Sequence, residues 1–223
     1  MPGGPPRLPL SSEEGAAAAW PDPASLPPIT TGAVRPAVGP RVVIPILAAL
    51  VIAAGLSVVP WHRDGSGWFT VATYFATHGA VDFGDLYATY LAAPIALMAV
   101  LAGFAGALDS RPLRWLQFLL GGAALAIGAS FAWRDVPGLL VPLAAVVVLV
   151  ALGSAVIAFL KRVALRVGAA CLLVGCALLH AGVLVTWVAP WLVAYAYLPV
   201  VGYVIGAVGA AIGPRYVPAD RPL

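Results

Sequence analysis

Residues 167–213 read VGAACLLVGCALLHAGVLVTWVAPWLVAYAYLPVVGYVIGAVGAAIG, a stretch of 47 residues without aspartate, glutamate, lysine or arginine. As one α-helix it would be about 70 Å long, whereas about 20 residues are enough to cross roughly 30 Å of hydrocarbon. The stretch must therefore turn back, and Ala189-Pro190, between Trp187 and Trp191, suits the turn. We expect two membrane spans here, at 167–187 and 191–213.

The rest of the chain divides at its charged residues. Of the 223 residues, 62% are hydrophobic and 9% are charged, whereas a soluble domain carries about 25% charged residues. Lipid must therefore cover much of the surface. The fold predicted is all-α, a polytopic membrane protein with a six-helix transmembrane domain over 41–214. The remaining uncharged runs predict four further spans, at 42–60, 86–108, 115–133 and 137–160.

The two ends of the chain lack this apolar character. Residues 1–40 contain ten of the 21 prolines and show no apolar periodicity, which predicts a disordered Pro-rich tail. Residues 215–223 form a second short tail. The longest loop, 61–85, is expected outside the cytoplasm. Its aromatic segment, 68–78, is too short to span, so it lies along the membrane surface or forms a shallow re-entrant element.

The positions of arginine and lysine predict the orientation, because these residues are enriched in cytoplasmic loops. With both termini in the cytoplasm, Arg63 and Arg134 fall outside. Eleven of the twelve basic residues are arginine, a bias that fits a high-GC bacterial genome, so we expect the bacterial inner (plasma) membrane as the location. The cytoplasmic set is Arg35, Arg41, Arg111, Arg114, Lys161, Arg162, Arg166, Arg215 and Arg221.

The outer loop carries a group of histidine and aspartate residues, His62, Asp64, His78, Asp82 and Asp85. Imidazole and carboxylate groups bind Zn²⁺ or act as acid–base pairs, so we keep these five as metal-site candidates. Their spacing matches no established metal-binding motif. The alternative is an ordinary polar loop in which Asp82 and Asp85 stabilise the start of the next helix. We expect no catalytic residue and no cofactor here.

His180 falls well inside a predicted span, and an ionisable residue there is a functional candidate. Cys176 lies one turn earlier on the same helix face. The alternative is a neutral histidine hydrogen-bonded to a neighbouring helix. Haem held between two helices would need a second intramembrane histidine, and His62 and His78 lie in or beside the outer loop.

The last two spans each carry a row of glycines on one helix face. Such faces let helix backbones approach closely. The rows predict that these two spans pack tightly within the bundle, with contact to a partner protein as the alternative. They consist of Gly168, Gly175 and Gly182 in the fifth span and Gly202, Gly206, Gly209 and Gly213 in the sixth.

The function is constrained mainly by what the sequence lacks. A net charge of +3 is not the basic footprint of a nucleic-acid-binding protein. The sequence contains no nucleotide-binding motif and no nucleophile motif that would indicate an enzyme. No aspartate, glutamate, lysine or arginine lies inside a span, which disfavours a coupled transporter. The leading interpretation is an accessory, scaffold or assembly protein that contacts lipid and other membrane subunits. A small transporter or channel, and a metal- or haem-binding protein using His62, His78 or His180, remain alternatives.

Overall fold

The computed structural model of the protein describes residues 34–37, 39–57, 60, 65–78, 82–131, 140–188 and 193–218. These residues are mainly helical, with one two-stranded sheet. Two π-helical turns lie at Tyr87–Leu91 and Leu184–Val188. Two 3-10 turns lie at Pro40–Val42 and Ala194–Tyr197. The helices are α1 (Val43–Ser57), α2 (Trp68–His78), α3 (Phe83–Leu108), α4 (Arg111–Phe131), α5 (Leu140–Phe159), α6 (Arg162–Val183) and α7 (Leu198–Ile212).

Five helices in the described residues are long and apolar enough to cross a membrane. They are α3, α4, α5, α6 with its π-helical extension, and α7 with its 3-10 turn. The first apolar run, expected to span at 42–60, forms a helix of 15 residues, which is about 22 Å long. Among the described residues, five helices therefore have spanning length, and the predicted sixth span is not confirmed.

Three helices begin earlier than the charge pattern indicates. The expected starts were residues 86, 115 and 167, whereas α3, α4 and α6 begin at Phe83, Arg111 and Arg162. A charged residue can occupy the first turn of a helix because its long side chain reaches the polar boundary. Dividing the chain at its charges therefore places these starts too late.

The central helix of the bundle is α3, which packs against α1, α4, α6 and α7. In its apolar segment 61% of residues are buried, against 22% in α4 and 28% in α5. Alanine and glycine fill the buried face, for example Ala99, Ala102 and Gly106. Small side chains let several helices approach one helix at once. As a result, α4 and α5 form a peripheral hairpin.

The helices alternate in direction, so the bundle has two ends. One end, which we call the Arg41 end, holds Arg41, Asp109, Lys161 and Gly213. The other, which we call the Trp68 end, holds Trp68 and the starts of α3 and of the turn before α7. The segment α2 packs beside the π-helical turn of α3, and Trp68 lines a groove with Ala93. This segment therefore lies against the first quarter of α3.

The sheet joins the two ends of the chain at the Arg41 end of the bundle. Strand β1 (Val34–Ala37) pairs antiparallel with β2 (Arg215–Pro218). The expected tails 1–40 and 215–223 therefore each contain a strand, and residues 1–33 lie outside the described ranges. Strands so distant in sequence pair only after the bundle brings the termini together, so local composition does not predict the sheet.

Candidate functional site

The polar centre of the bundle is a cluster of three aromatic side chains from α3, α6 and α7. The hydroxyl of Tyr87 lies 3.1 Å from Nδ1 of His180, within hydrogen-bond distance. The ring of His180 meets that of Tyr203 edge to face, with 6.1 Å between centroids. Tyr87 is 1% exposed, and His180 and Tyr203 are both 0% exposed. We call these three residues, with Cys176, the Tyr-His cluster.

The local structure positions the members of the Tyr-His cluster. Tyr87 begins the π-helical turn of α3, and the π-helical turn of α6 begins four residues after His180. A π-helical turn accommodates one extra residue and changes which side chains face the core; such turns are frequent at functional sites. Cys176, 0% exposed, lies one turn before His180.

The cluster ties three helical segments together. The imidazole of His180 also lies near the backbone of Ala196, in the 3-10 turn before α7. One imidazole therefore links α6 to α3 and to the start of α7. The hydroxyl of Tyr203, in contrast, is buried without a hydrogen-bond partner among the described residues. A neutral histidine can make such links at low cost, whereas a charged one in this enclosed position would be strongly unfavourable.

Sequence reasoning identified His180 and Cys176 but missed Tyr87 and Tyr203. Dividing the chain by charge treats tyrosine as an apolar residue. The available signal was a tyrosine inside a predicted span, because a buried hydroxyl requires a hydrogen-bond partner. The three aromatic residues come from separate parts of the chain, so no spacing rule would have joined them.

Of the outer histidine and aspartate residues, the three that the structure describes make local contacts. His62 and Asp64 lie outside the described residues. The ring of His78 is exposed and stacks on Tyr74, with 4.2 Å between centroids. Asp82 and Asp85 form a capping box at the start of α3, where the side chain of Asp82 accepts from the backbone of Asp85 at 2.9 Å. Within the described ranges, no three histidine, cysteine, aspartate or glutamate residues are grouped to hold a metal ion.

The glycine face of α7 packs against α1. A Cβ atom at Gly202 would lie 2.5 Å from Cγ1 of Ile52 and 3.0 Å from the backbone oxygen of Ala48. Two helical turns further on, a Cβ atom at Gly209 would likewise be too close to Ile44. These residues define the α1–α7 seam, in which the two backbones approach closely because one side has no side chains.

Two other glycines of α7 have neighbours on α6. A Cβ atom at Gly206 would lie 3.3 Å from Leu173, and 3.4 Å from Ala48 on α1. Gly213, at the end of α7, has a φ angle of 62° and lies against the guanidinium of Arg166. A side chain there would be strained by the backbone angle and would meet the arginine.

The glycines of α6 face a different neighbour. A Cβ atom at Gly175 would meet Leu149 of α5, and one at Gly168 would meet Leu160 and Val156. Gly182 has no atom within 4 Å of a Cβ position. The two glycine rows therefore do not face each other, and α6 packs on α7 through larger residues such as Leu173.

A second polar cluster holds the Arg41 end together. Arg41 donates to the backbone oxygen of Gly213 at 3.4 Å, and Arg166 donates to that of Pro214 at 3.3 Å. The hydroxyl of Tyr216 donates to the carboxylate of Asp109 at 2.8 Å. Partial burial and this hydrogen bond raise the pKa of Tyr216, so it remains a donor at neutral pH. These contacts position β2, since a sheet of two short strands is marginal alone.

The fold and its contacts define an all-α protein with helices that can cross a membrane. No protein-family model, curated protein or solved structure matches the chain.

Proposed function

We propose that the chain crosses a bacterial plasma membrane six times, with both termini in the cytoplasm, and acts as a non-catalytic subunit that binds other membrane proteins through α4. The orientation is supported by the charges. All lysine and arginine side chains in the described ranges belong to segments at the Arg41 end, the pattern of cytoplasmic loops. On this proposal α1 is the first of the six spans, and the membrane is thin beside its 15 residues.

The observation that carries the proposed function is the face of α4 that no other described helix covers. Gly122, Ala126 and Ser130 follow one another at four-residue spacing, and all three are exposed. Nothing lies within 4 Å of a Cβ position at Gly122. We call these three residues, with Leu119 beside them, the α4 face. Small residues at this spacing are typical of interfaces between transmembrane helices.

The opposite side of α4 is already occupied, which leaves the α4 face for a partner. Gln117 is 0% exposed and donates to the backbone oxygen of Ser154 on α5 at 2.9 Å. Gly121 packs on the same serine: a Cβ atom at Gly121 would lie only 2.9 Å from the Cβ of Ser154. These contacts orient α4 so that its small residues point away from the bundle. The glycines of α7, in contrast, are used within the bundle.

Site-specific crosslinking in membranes tests this function. A photoreactive amino acid at Gly122 or Ala126 should give a discrete crosslinked product, whereas one at Val204, which is 49% exposed on α7, should not. Gly122→Leu should abolish the product formed from Ala126 and leave the melting temperature unchanged, since Gly122 has open space around it. The mass of the product distinguishes a second copy of the chain from another subunit. Equal products at all three positions, or none, would refute the proposal.

A second candidate function is transport. The π-helical turns beside the Tyr-His cluster favour it, because such turns are frequent at functional sites and transporters commonly place binding sites at irregular segments of helices. Proton flux into proteoliposomes, reported by a pH-sensitive dye, tests this candidate. Flux above that of empty liposomes, lost in His180→Ala, would support proton transport. A flux equal to that of empty liposomes would exclude proton transport.

A further inference from the structure

Three basic side chains lie around the connection between α5 and α6, at the Arg41 end of the bundle. Arg114 of α4 donates to the backbone oxygen of Leu160, which places the first turn of α4 beside this connection. Arg111 lies one turn before Arg114 on the same face of α4, and Lys161 and Arg162 follow Leu160 directly. We call Arg111, Lys161 and Arg162 the basic corner. All three are exposed.

The charges of the basic corner are not used within the described part of the protein. Arg41, Arg114 and Arg166, at the same end, donate to backbone oxygens and so hold the bundle together. Asp109, the described carboxylate at this end, accepts a hydrogen bond from Tyr216. The three side chains of the basic corner form no ion pair with a described carboxylate. They are therefore available to bind an anion from outside the bundle.

An exposed aromatic pair places the basic corner at the boundary of the membrane. The rings of Trp115 on α4 and Phe159 on α5 meet edge to face, with 6.0 Å between centroids, and both are exposed. Exposed tryptophan is enriched at the level of the lipid headgroups. Arg111 lies one turn nearer the start of α4 than Trp115. The cations of the basic corner therefore lie at the level of the lipid phosphates.

A shallow apolar groove of about 320 Å³ begins close to the basic corner, between α5 and α6. Glycines on both helices, Gly153 and Gly168, line it and leave space because they have no side chains. Val156 lines the groove five residues before Lys161, and Gly168 lines it seven residues after. At 1.5 Å per residue, the groove thus begins within about 10 Å of the basic corner along the helix axes. We call it the α5–α6 groove.

We propose that the basic corner binds the phosphate of an anionic glycerophospholipid, one acyl chain of which lies in the α5–α6 groove. An apolar groove alone would accept many occupants, whereas unpaired cations beside its polar end select one that carries an anion. The volume of the groove is roughly ten times that of one water molecule in the liquid, about 30 Å³. A methylene group is of similar size, so the groove holds about half of one acyl chain. The proposal rests on the bundle lying in a membrane, as proposed above, and is independent of the α4 face.

Native mass spectrometry with two lipids that differ only in the headgroup tests the basic corner. The probes are dioleoyl phosphatidylglycerol, which is anionic, and dioleoyl phosphatidylcholine, which has no net charge. Each cation at a headgroup surface strengthens binding of an anionic lipid by about a factor of five, so the wild-type protein should prefer phosphatidylglycerol about tenfold or more. Arg111→Gln, Lys161→Gln and Arg162→Gln should each lower this preference about fivefold. No preference in the wild type, or an unchanged preference in all three variants, would overturn the proposal.

The matched control for charge is Arg215→Gln. Arg215 is an exposed arginine of β2 at the same end of the bundle, outside the connection between α5 and α6. The variant removes the same charge and should keep the preference of the wild type. An equal loss in Arg215→Gln would show a diffuse attraction by the whole end of the bundle, which would refute a site at the basic corner.

Filling the groove tests where the acyl chain lies. Cys171 and Val148 are exposed and line the groove, so phenylalanine at either position should fold normally and occupy the space of the chain. Overpacking the occupied groove should weaken binding of both lipids about fivefold or more. Val204→Phe, at an exposed position of α7, is the matched control and should bind as the wild type does.

The melting temperature of each variant shows whether it is folded, and recovery of the wild-type protein in the membrane fraction tests separately that the chain lies in a membrane. Unchanged lipid binding in folded Cys171→Phe and Val148→Phe, or the same loss in Val204→Phe, would refute the groove as the site of the acyl chain.

Discussion

The α1–α7 seam predicts that adding a single methyl group at Gly202 destabilises the protein. The Cβ of alanine would lie 3.0 Å from both the backbone oxygen of Ala48 and the backbone nitrogen of Ile52. These atoms cannot rotate away, so α1 and α7 must separate over several residues. The substitution thus probes whether the two backbones are in direct contact.

The size of the effect follows from two opposing contributions. Overpacking a close contact costs about 1–3 kcal/mol, and contact with backbone places Gly202→Ala towards the upper part of that range. Replacing glycine by alanine within a helix returns about 1 kcal/mol. The expected net loss in unfolding free energy is therefore about 1–2 kcal/mol. At Gly206 the nearest atoms, 3.3 and 3.4 Å away, belong to side chains, so the two contributions nearly cancel.

Unfolding by sodium dodecyl sulfate in mixed micelles, followed by circular dichroism, measures this difference. Gly182→Ala is the matched control, because a Cβ atom there has no neighbour within 4 Å. It should stabilise the protein by up to about 1 kcal/mol. The expected order of stability is Gly182→Ala, then Gly206→Ala, then Gly202→Ala. If Gly202→Ala is as stable as Gly182→Ala, the seam does not exist as described.

Two further predictions concern the Tyr-His cluster and the orientation. Tyr87→Phe should lower the unfolding free energy by about 0.5–1.5 kcal/mol through loss of the hydrogen bond to His180. Tyr203→Phe should be neutral or stabilising. Equal effects of the two substitutions would refute the assigned hydrogen-bond partners. A cysteine replacing exposed Ala76 should react with a membrane-impermeant thiol reagent in intact cells, and one replacing Ser110 only after lysis; the reverse result would invert the proposed topology.

Hydropathy and charge alone predict the helices well, because an uncharged run of about 20 residues has few alternatives to a buried or lipid-facing helix. Such runs cover the central parts of α3 to α7. The predicted starts of α4 and α6 are too late, since Arg111 and Arg162 occupy the first turns of these helices.

The functional clusters were only partly accessible from the sequence. His180 is identifiable because an ionisable residue in a span is rare. Its partner Tyr87 is not, because the two are 93 residues apart and tyrosine is common near membrane boundaries. The sequence likewise cannot identify the α4 face as the unpartnered one, because small residues occur on nearly every helix.

The sequence by itself determined that the chain is helical, that its helices are apolar enough to cross a membrane, and that one face of the last helix lacks side chains. These properties depend on local composition and on helical periodicity. The tertiary structure decided which neighbours those faces meet: α1 against the glycines of α7, α5 against those of α6, and Tyr87 beside His180. In lipid, apolar side chains gain nothing from water exclusion, so helix pairing depends on shape and hydrogen bonding between residues far apart in the chain.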